Sequence, residues 1–279
     1  MKISLAKSAG FCFGVKRALD IARKTAQASK EVYMLGDIVH NEQVVKDIAR
    51  SGIKKAKKLS KGDGKILLIR AHGVNRHIFK KASSLGYEIV DATCPMVKEI
   101  HKIARENEKK GYKIIVIGDK EHDEVLGIVG QLNHKALIIE RLENLKRKNM
   151  KNIKKACVVV QSTQELENVR KIVDFLKANI ADLRFFNTIC RPTTIKQEEI
   201  KKMPLQNDMM IIIGSKASAN TKRLYEISRS LNKRSYWVNS KKEIRPDWFK
   251  GVQTVGITAG ASTPESSIKE ITEFISSLR

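Results

Sequence analysis

Nine short apolar runs constrain this chain more than any other feature: EVYML, KILLIRA, YEIVDA, KIIVIG, ALIIE, CVVVQ, DMMIIIG, SYWVN and VGITAG. Runs of that length and β-branched content read as buried strands. Between several of them lie segments with helical periodicity, VKEIHKIARENEKKG, ELENVRKIVDFLKANI and TKRLYEISRSLNK. Apolar strands separated by helices predict an α/β fold with largely parallel sheets. A chain of 279 residues buries roughly 70–75% of its unfolded surface, so it folds without disulfides or a structural metal. No apolar run reaches about 18 residues and the opening MKISLAKSAG lacks the apolar core of a signal peptide, which predicts a cytoplasmic protein with no membrane contact.

The cysteines add a second regularity. Cys12 sits in GFCFG ahead of the helical pattern VKRALDIARK; Cys94 follows YEIVDAT and precedes Pro95; Cys190 follows FFNTI and precedes RPTTIKQEEIKKM. Each therefore stands where a strand or loop gives way to a helix. Unpaired backbone N–H groups and the positive end of the helix dipole favour thiolate there, helped at Cys12 by Lys16 and Arg17. The pattern predicts three similar α/β domains, 1–94, 95–190 and 191–279, in a pseudo-threefold arrangement that brings three thiolates together. Such a donor set suits a [4Fe–4S] cluster with one iron not held by protein, or a zinc with an open fourth position. Cys157, which opens CVVVQ, reads as core.

Net charge is +24, with 54 Lys and Arg against 30 Asp and Glu. Nucleic acid is the first partner such a balance suggests. The basic runs (KKAKKLSKGDGK, RLENLKRKNMKNIKK, KKEIRPDWFK) are dispersed, however, and the scattered aromatics form no stacking platform. The excess reads instead as a solvated lysine surface or as attraction for small anions or an acidic protein.

Ligands of α/β sheets gather beyond the carboxyl ends of the strands. The residues following the apolar runs are polar: His40-Asn41, Arg70-Ala71-His72-Gly73, DKEHDE at 119–124, Gln161-Ser162-Thr163, GSKASAN at 214–220 and TAGAS at 258–262. Hydroxyls, amides and helix N-termini hold phosphate oxygens, although each serine or threonine taken singly also reads as a helix cap. Neither GxxxxGK[ST] nor a strand-linked GxGxxG is present, which argues against nucleoside triphosphates and dinucleotides. His122 and Glu124 form an H-x-E pair, read as lying in a loop, that suits proton relay with Glu124 as the acid.

The ordered set GFCFG, VHN, AHGV, DATCP, HDEVLGIVGQ, QST, the Cys190 region, GSKASAN and TAGAS resembles the 4-hydroxy-3-methylbut-2-enyl diphosphate reductase family of the non-mevalonate isoprenoid pathway, from Lys2 to the last helix. The resemblance implies three α/β domains around a central [4Fe–4S] cluster held by Cys12, Cys94 and Cys190. It implies reductive loss of water from an allylic diphosphate, with two electrons and two protons, to give isopentenyl and dimethylallyl diphosphates. His40, His72, Ser218, Asn220 and Ser262 would hold the diphosphate, His122 would line the site, Glu124 would deliver protons and Ser162 would stand beside the substrate hydroxyl. Reduced ferredoxin or flavodoxin would supply the electrons. The chain departs from the family pattern in three places: Ser162 replaces a usual threonine, Ala219 a serine, and PTTIKQ at 192–197 stands where ATTNRQ is usual, so that Ile195 lacks an amide and Lys196 lacks the fork of an arginine. An iron–sulfur electron carrier, a nucleic-acid-binding protein and a zinc hydrolase account for less; a carrier, for instance, needs no pocket of His, Ser, Asn and Glu.

Overall fold

A computed structural model describes residues 1–28, 30–146, 150 and 152–278; part of the basic run at 141–155 lies outside the described residues. The chain begins with β1 (Lys2–Leu5), α1 (Phe13–Ala26), β2 (Val32–Leu35), α2 (Glu42–Arg50), β3 (Lys54–Ala56), β4 (Ile66–Ile69), α3 (Arg76–Ser84) and β5 (Glu88–Asp91). It continues through α4 (Pro95–Lys109), β6 (Lys113–Ile117), α5 (Asp123–Val129), β7 (Leu137–Ile139), α6 (Glu143–Lys146), β8 (Lys155–Val160), α7 (Leu166–Asn179) and β9 (Asp182–Phe185). The last part holds α8 (Arg191–Ile200), β10 (Met209–Ile213), α9 (Ala219–Leu231), β11 (Ser235–Val238), β12 (Thr254–Ala259) and α10 (Glu265–Ser277).

These strands form three four-stranded parallel sheets, β3-β2-β4-β5, β7-β6-β8-β9 and β1-β12-β10-β11. The α/β expectation is met. Read from its far edge, the last sheet runs β11-β10-β12-β1, so all three share one order: second strand, first, third, fourth. In that last sheet the fourth place is filled by the chain's own beginning. β1, counted with residues 1–94 in the sequence reading, thus pairs with β12.

Central strands explain the apolar runs. β4 and β10 are buried throughout, and β6 and β8 are buried after their first residue, because helices cover both faces. Side chains alternate across each sheet. Ile115 and Ile117 of β6 join the core with α7 (Val169, Ile172, Leu176), whereas Ile114 and Val116 join the one with α4 and α5 (Ile100, Val125, Ile128). Cys157 lies in this second core with no exposed surface, as read from the sequence, and burial pushes its thiol up to about 12. The edge strand β3 carries Lys54 and Lys55, charges that discourage further pairing.

By packing, the chain divides into two compact units, one of residues 1–16, 39–47 and 191–279, the other of 17–38 and 48–190. The first contains the β1-β12-β10-β11 sheet and the second the other two. Among the described residues no helix is long and apolar enough to cross a membrane.

Candidate functional site

The common strand order places the proposed site residues in equivalent positions. Cys12, Cys94 and Cys190 each follow the fourth strand of a sheet, β1, β5 and β9, and precede α1, α4 and α8. Each cysteine N–H donates to the carbonyl of the second residue beyond the third strand: Cys12 to Ala261 (3.1 Å), Cys94 to Ala71 (2.9 Å) and Cys190 to Ser162 (3.0 Å). All three are half-buried thiols. Cys94 is the N-cap of α4, with Pro95 in the first turn; its carbonyl and that of Cys12 each accept the N–H four residues on.

The sequence leaves open whether a strand or a loop precedes Cys190; β9 ends at Phe185, so the rest of FFNTI is loop. Thr188 Oγ1 accepts from Val160 N at 2.8 Å and donates to Val160 O at 2.5 Å, so a side chain replaces the backbone ladder there.

A second set follows the first strand of each sheet. His40, His122 and Ser218 all stand five residues beyond β2, β6 and β10, and Glu42, Glu124 and Asn220 all stand seven beyond. The segments are GDIVHNE, GDKEHDE and GSKASAN, a repeat visible only once strand ends are aligned. A third set, His72, Thr163 and Ser262, stands three residues beyond β4, β8 and β12, which adds Thr163 to the candidates.

In the unit of residues 17–38 and 48–190, His122 caps α5: its Nδ1 accepts from Glu124 N at 3.2 Å. Glu124 therefore lies in the first helical turn and not in a loop. The capping bond requires Nδ1 without a proton, which places the proton of the neutral ring on Nε2. The His122 and His72 rings meet edge to face, centroids 5.5 Å apart at 88°. Glu124 is 2% exposed; its Oε1 accepts from Ser162 N at 2.6 Å and Oε2 from Ser162 Oγ at 2.8 Å. Burial pushes the Glu124 carboxyl upward, against the two Ser162 hydrogen bonds that favour its charged form. Ser162 thus holds Glu124 through its N–H and hydroxyl and Cys190 through its carbonyl. Behind this group His101 of α4 is buried beside Gly73, and burial lowers its imidazole to about 4, leaving it neutral.

In the unit of residues 1–16, 39–47 and 191–279, Ser218 caps α9 by accepting from Thr221 N at 3.3 Å. Asn220 is 4% exposed, yet neither its Oδ1 nor its Nδ2 has a hydrogen-bond partner among the described residues. A buried amide left unsatisfied costs about 1–3 kcal/mol, and both polar atoms of Asn220 have capacity for a polar ligand. Gly214, at φ +149, lets the start of α9 approach the sheet; a Cβ there would lie 2.7 Å from Thr221 Oγ1. Ser262 Oγ donates to His40 O at 3.0 Å, joining two of the predicted anion ligands. Nearby, α8 secures the segment before Cys12: Glu199 accepts from Lys7 N (2.6 Å) and Ser8 N (3.0 Å), and Lys196 Nζ donates to Ala259 O (3.2 Å) and to Ser8 O. Burial brings Lys196 down to about 8, opposed by the neighbouring Cys12 and Glu199.

Fold and site together define an α/β protein of three parallel sheets, each offering one thiol from a strand-to-helix junction and polar groups beyond its inner strands: His40, Glu42 and His72 in one, His122, Glu124 and Thr163 in the next, Ser218, Asn220 and Ser262 in the last. The chain belongs to the LytB protein family, whose sequence profile matches residues 3–276. It is similar to the 4-hydroxy-3-methylbut-2-enyl diphosphate reductase of Pelobacter propionicus, 42% identical over 271 residues that cover 97% of this chain and 96% of that one. Two solved structures are also similar. One is (E)-4-hydroxy-3-methyl-but-2-enyl diphosphate reductase, the terminal enzyme of the non-mevalonate pathway, at 36% identity, covering 99% of this chain and all of that one with a TM-score of 0.72. The other is the E-1-hydroxy-2-methyl-but-2-enyl-4-diphosphate reductase from Plasmodium falciparum, at 30% identity, covering 99% of this chain and 87% of that one with a TM-score of 0.91.

Proposed function

We propose that this chain is a 4-hydroxy-3-methylbut-2-enyl diphosphate reductase, removing the allylic hydroxyl as water with two electrons and two protons to give isopentenyl and dimethylallyl diphosphates. Family membership over nearly the whole chain supports the reaction. The observation that carries the chemistry is Glu124, a buried carboxyl whose proton is favoured by burial and whose position is fixed by Ser162.

The three equivalent cysteines fit a [4Fe–4S] cluster: they are thiols at helix starts, half-buried, with matching backbone hydrogen bonds, whereas Cys157 is sealed in the core. When bound through Cys12, Cys94 and Cys190, such a cluster supplies electrons and one iron able to act as a Lewis acid toward the substrate oxygen.

The chain's own groups do the rest. Asn220, Ser218, Ser262, His40 and His72 orient the diphosphate by hydrogen bonding, the Ser262 hydroxyl turning from His40 O to do so. His122, protonated on Nε2, lines the same site. Glu124 gives its proton to the departing oxygen, and the Ser162 hydroxyl holds the carboxylate left behind. The electrons come from an external carrier; the lysine excess favours an acidic one such as ferredoxin or flavodoxin, and the setting is cytoplasmic.

Anaerobic purification followed by iron, sulfide and zinc analysis, a visible spectrum and turnover of the allylic diphosphate tests this reading. Equimolar iron and sulfide with brown absorption and turnover are expected. Stoichiometric zinc, or absence of metal together with absence of turnover, would overturn it.

A further inference from the structure

The proposed reaction leaves unused a forked pair of opposite charges beside His72, His122 and Glu124. Arg70 follows β4 and Asp123 opens α5; Arg70 NH1 donates to Asp123 Oδ2 at 2.6 Å and NH2 to Oδ1 at 2.8 Å. Their side chains are only 17% and 24% exposed. A forked pair at that depth is stronger and more directional than a surface ion pair, and removing one partner strands a half-buried charge. The neighbouring backbone is shaped to receive it. Gly36 has φ +76, and a Cβ there would come within 2.5 Å of Arg70 NH1. The pair lines a cleft of about 710 Å³ together with Leu35, Lys57, Val74 and Leu126.

Position in the repeat shows that this pairing is particular to one loop. The equivalents of Asp123, six residues beyond β2 and β10, are Asn41 and Ala219. Asn41 Oδ1 caps its own helix by accepting from Val44 N at 3.1 Å, and Ala219 has no polar group to offer. At α5 the cap is His122, so Asp123 is available for a partner from another sheet.

The geometry ties this pair to three site residues. Arg70 Nε also donates to Gly73 O at 3.4 Å, so one guanidinium spans the loop that carries His72 and the turn that carries His122. Asp123 draws that turn toward β4 while the adjacent Glu124 is held by Ser162 beyond β8. The first turn of α5 is thus held from two directions.

We propose that Arg70 and Asp123 are a positioning pair that fixes the His72 loop against the first turn of α5, holding His72, His122 and Glu124 in one arrangement. The proposal rests on the reductase reading for its kinetic consequence. The test uses the full chain, assembled anaerobically, as wild type, Asp123→Asn, Arg70→Met, Arg70→Lys and the double variant Arg70→Met with Asp123→Leu. Each carboxamide or methionine single should lower kcat/KM by about 10- to 100-fold, the usual effect of a displacement on the order of 1 Å, with iron and sulfide unchanged. The double should lose no more than either single, because the two act as one unit. Lysine should recover only part, since an ammonium cannot fork. The limb of the pH profile that reports Glu124 should also move in the singles.

Imidazole NMR signals give a readout independent of turnover. Those of His72 and His122 should shift in both singles while that of exposed His134 stays in place. Singles within about twofold of wild type, additive losses in the double, or loss of iron in the singles would each overturn the proposal. If the wild type itself has no turnover, the reductase reading fails, and the imidazole signals alone decide the pair: unmoved His72 and His122 signals refute it.

Discussion

Seven residues beyond β6 stands Glu124, and seven beyond β10 stands Asn220, each in the first turn of the following helix and each almost fully buried. The neighbouring loop at the equivalent place offers Ser162 in one sheet and Ala261 in the other. Glu124 has Ser162's N–H and hydroxyl to receive. Asn220 has nothing among the described residues. One backbone frame thus builds a buried acid held by two hydrogen bonds and a buried amide without a partner among the described residues, and the adjacent loops differ in carrying a serine or an alanine.

The largest effect falls on the acid. Glu124→Gln keeps the shape and one acceptor but has no proton to give, so kcat should drop by about 100-fold or more while iron, sulfide and substrate KM stay near wild type. Near-normal turnover would break the comparison at its first term. Stability provides a second reading with a defined sign. The folded-state pKa of Glu124 lies above its unfolded value, so the folded chain binds more protons once the pH exceeds the ordinary carboxyl value of 4.5. Wild type should therefore lose stability relative to Glu124→Gln as pH rises from 4.5 through the folded pKa, a trend that denaturant titrations at several pH values can check.

Asn220→Leu comes next. Removing an amide that hydrogen-bonds a charged group should raise substrate KM by about 10-fold or more with a smaller effect on kcat. The same substitution removes a buried group with no partner, so the ligand-free protein should become more stable, by about 1 kcal/mol or more. A variant that binds as well as wild type, or that loses stability, would place Asn220 with the structural amides. Ser162→Ala then makes one loop resemble the other. Glu124 keeps the Ser162 N–H but loses the hydroxyl, which should cost about 10-fold in kcat. Because that hydroxyl holds the Glu124 pKa down, its loss should move the alkaline limb of the rate profile to higher pH.

The central strands were legible in the sequence because parallel sheets covered on both faces demand uninterrupted apolar residues, as in ILLI of β4 and MMIII of β10. β1 and β3 were not. KISL is only half-buried and KKA is an edge with two lysines, so neither carries a strand's apolar signature. The cysteine junctions were visible because Pro95 and the polar residues after Cys190 announce helices. The equivalence of GDIVHNE, GDKEHDE and GSKASAN was hidden because it is counted from strand ends and few of its residues are identical. Arg70 with Asp123 could not be read at all: 53 residues separate them, and nothing local distinguishes a paired arginine from a solvated one.

The smallest effect sharpens the comparison at the residue before Asn220. Ala219 is 8% exposed and occupies the place of Asn41, which caps a helix, and of Asp123, which holds Arg70. Only in α9 does that place lack a polar atom. Ala219→Ser adds a hydroxyl next to Ser218 and Asn220, where the family usually has one. A neutral hydrogen bond is worth about 0.5–1.5 kcal/mol net, and burying the hydroxyl before ligand arrives takes back part of it, so KM should fall by only about threefold with kcat unchanged. A rise in KM would mean that this turn is packed around the methyl and that Ser218, Asn220 and the backbone alone read the anion. The contrast with the Asp123 turn would then be one of chemistry and packing together, since the polar atom missing from α9 would be one its surroundings do not accept.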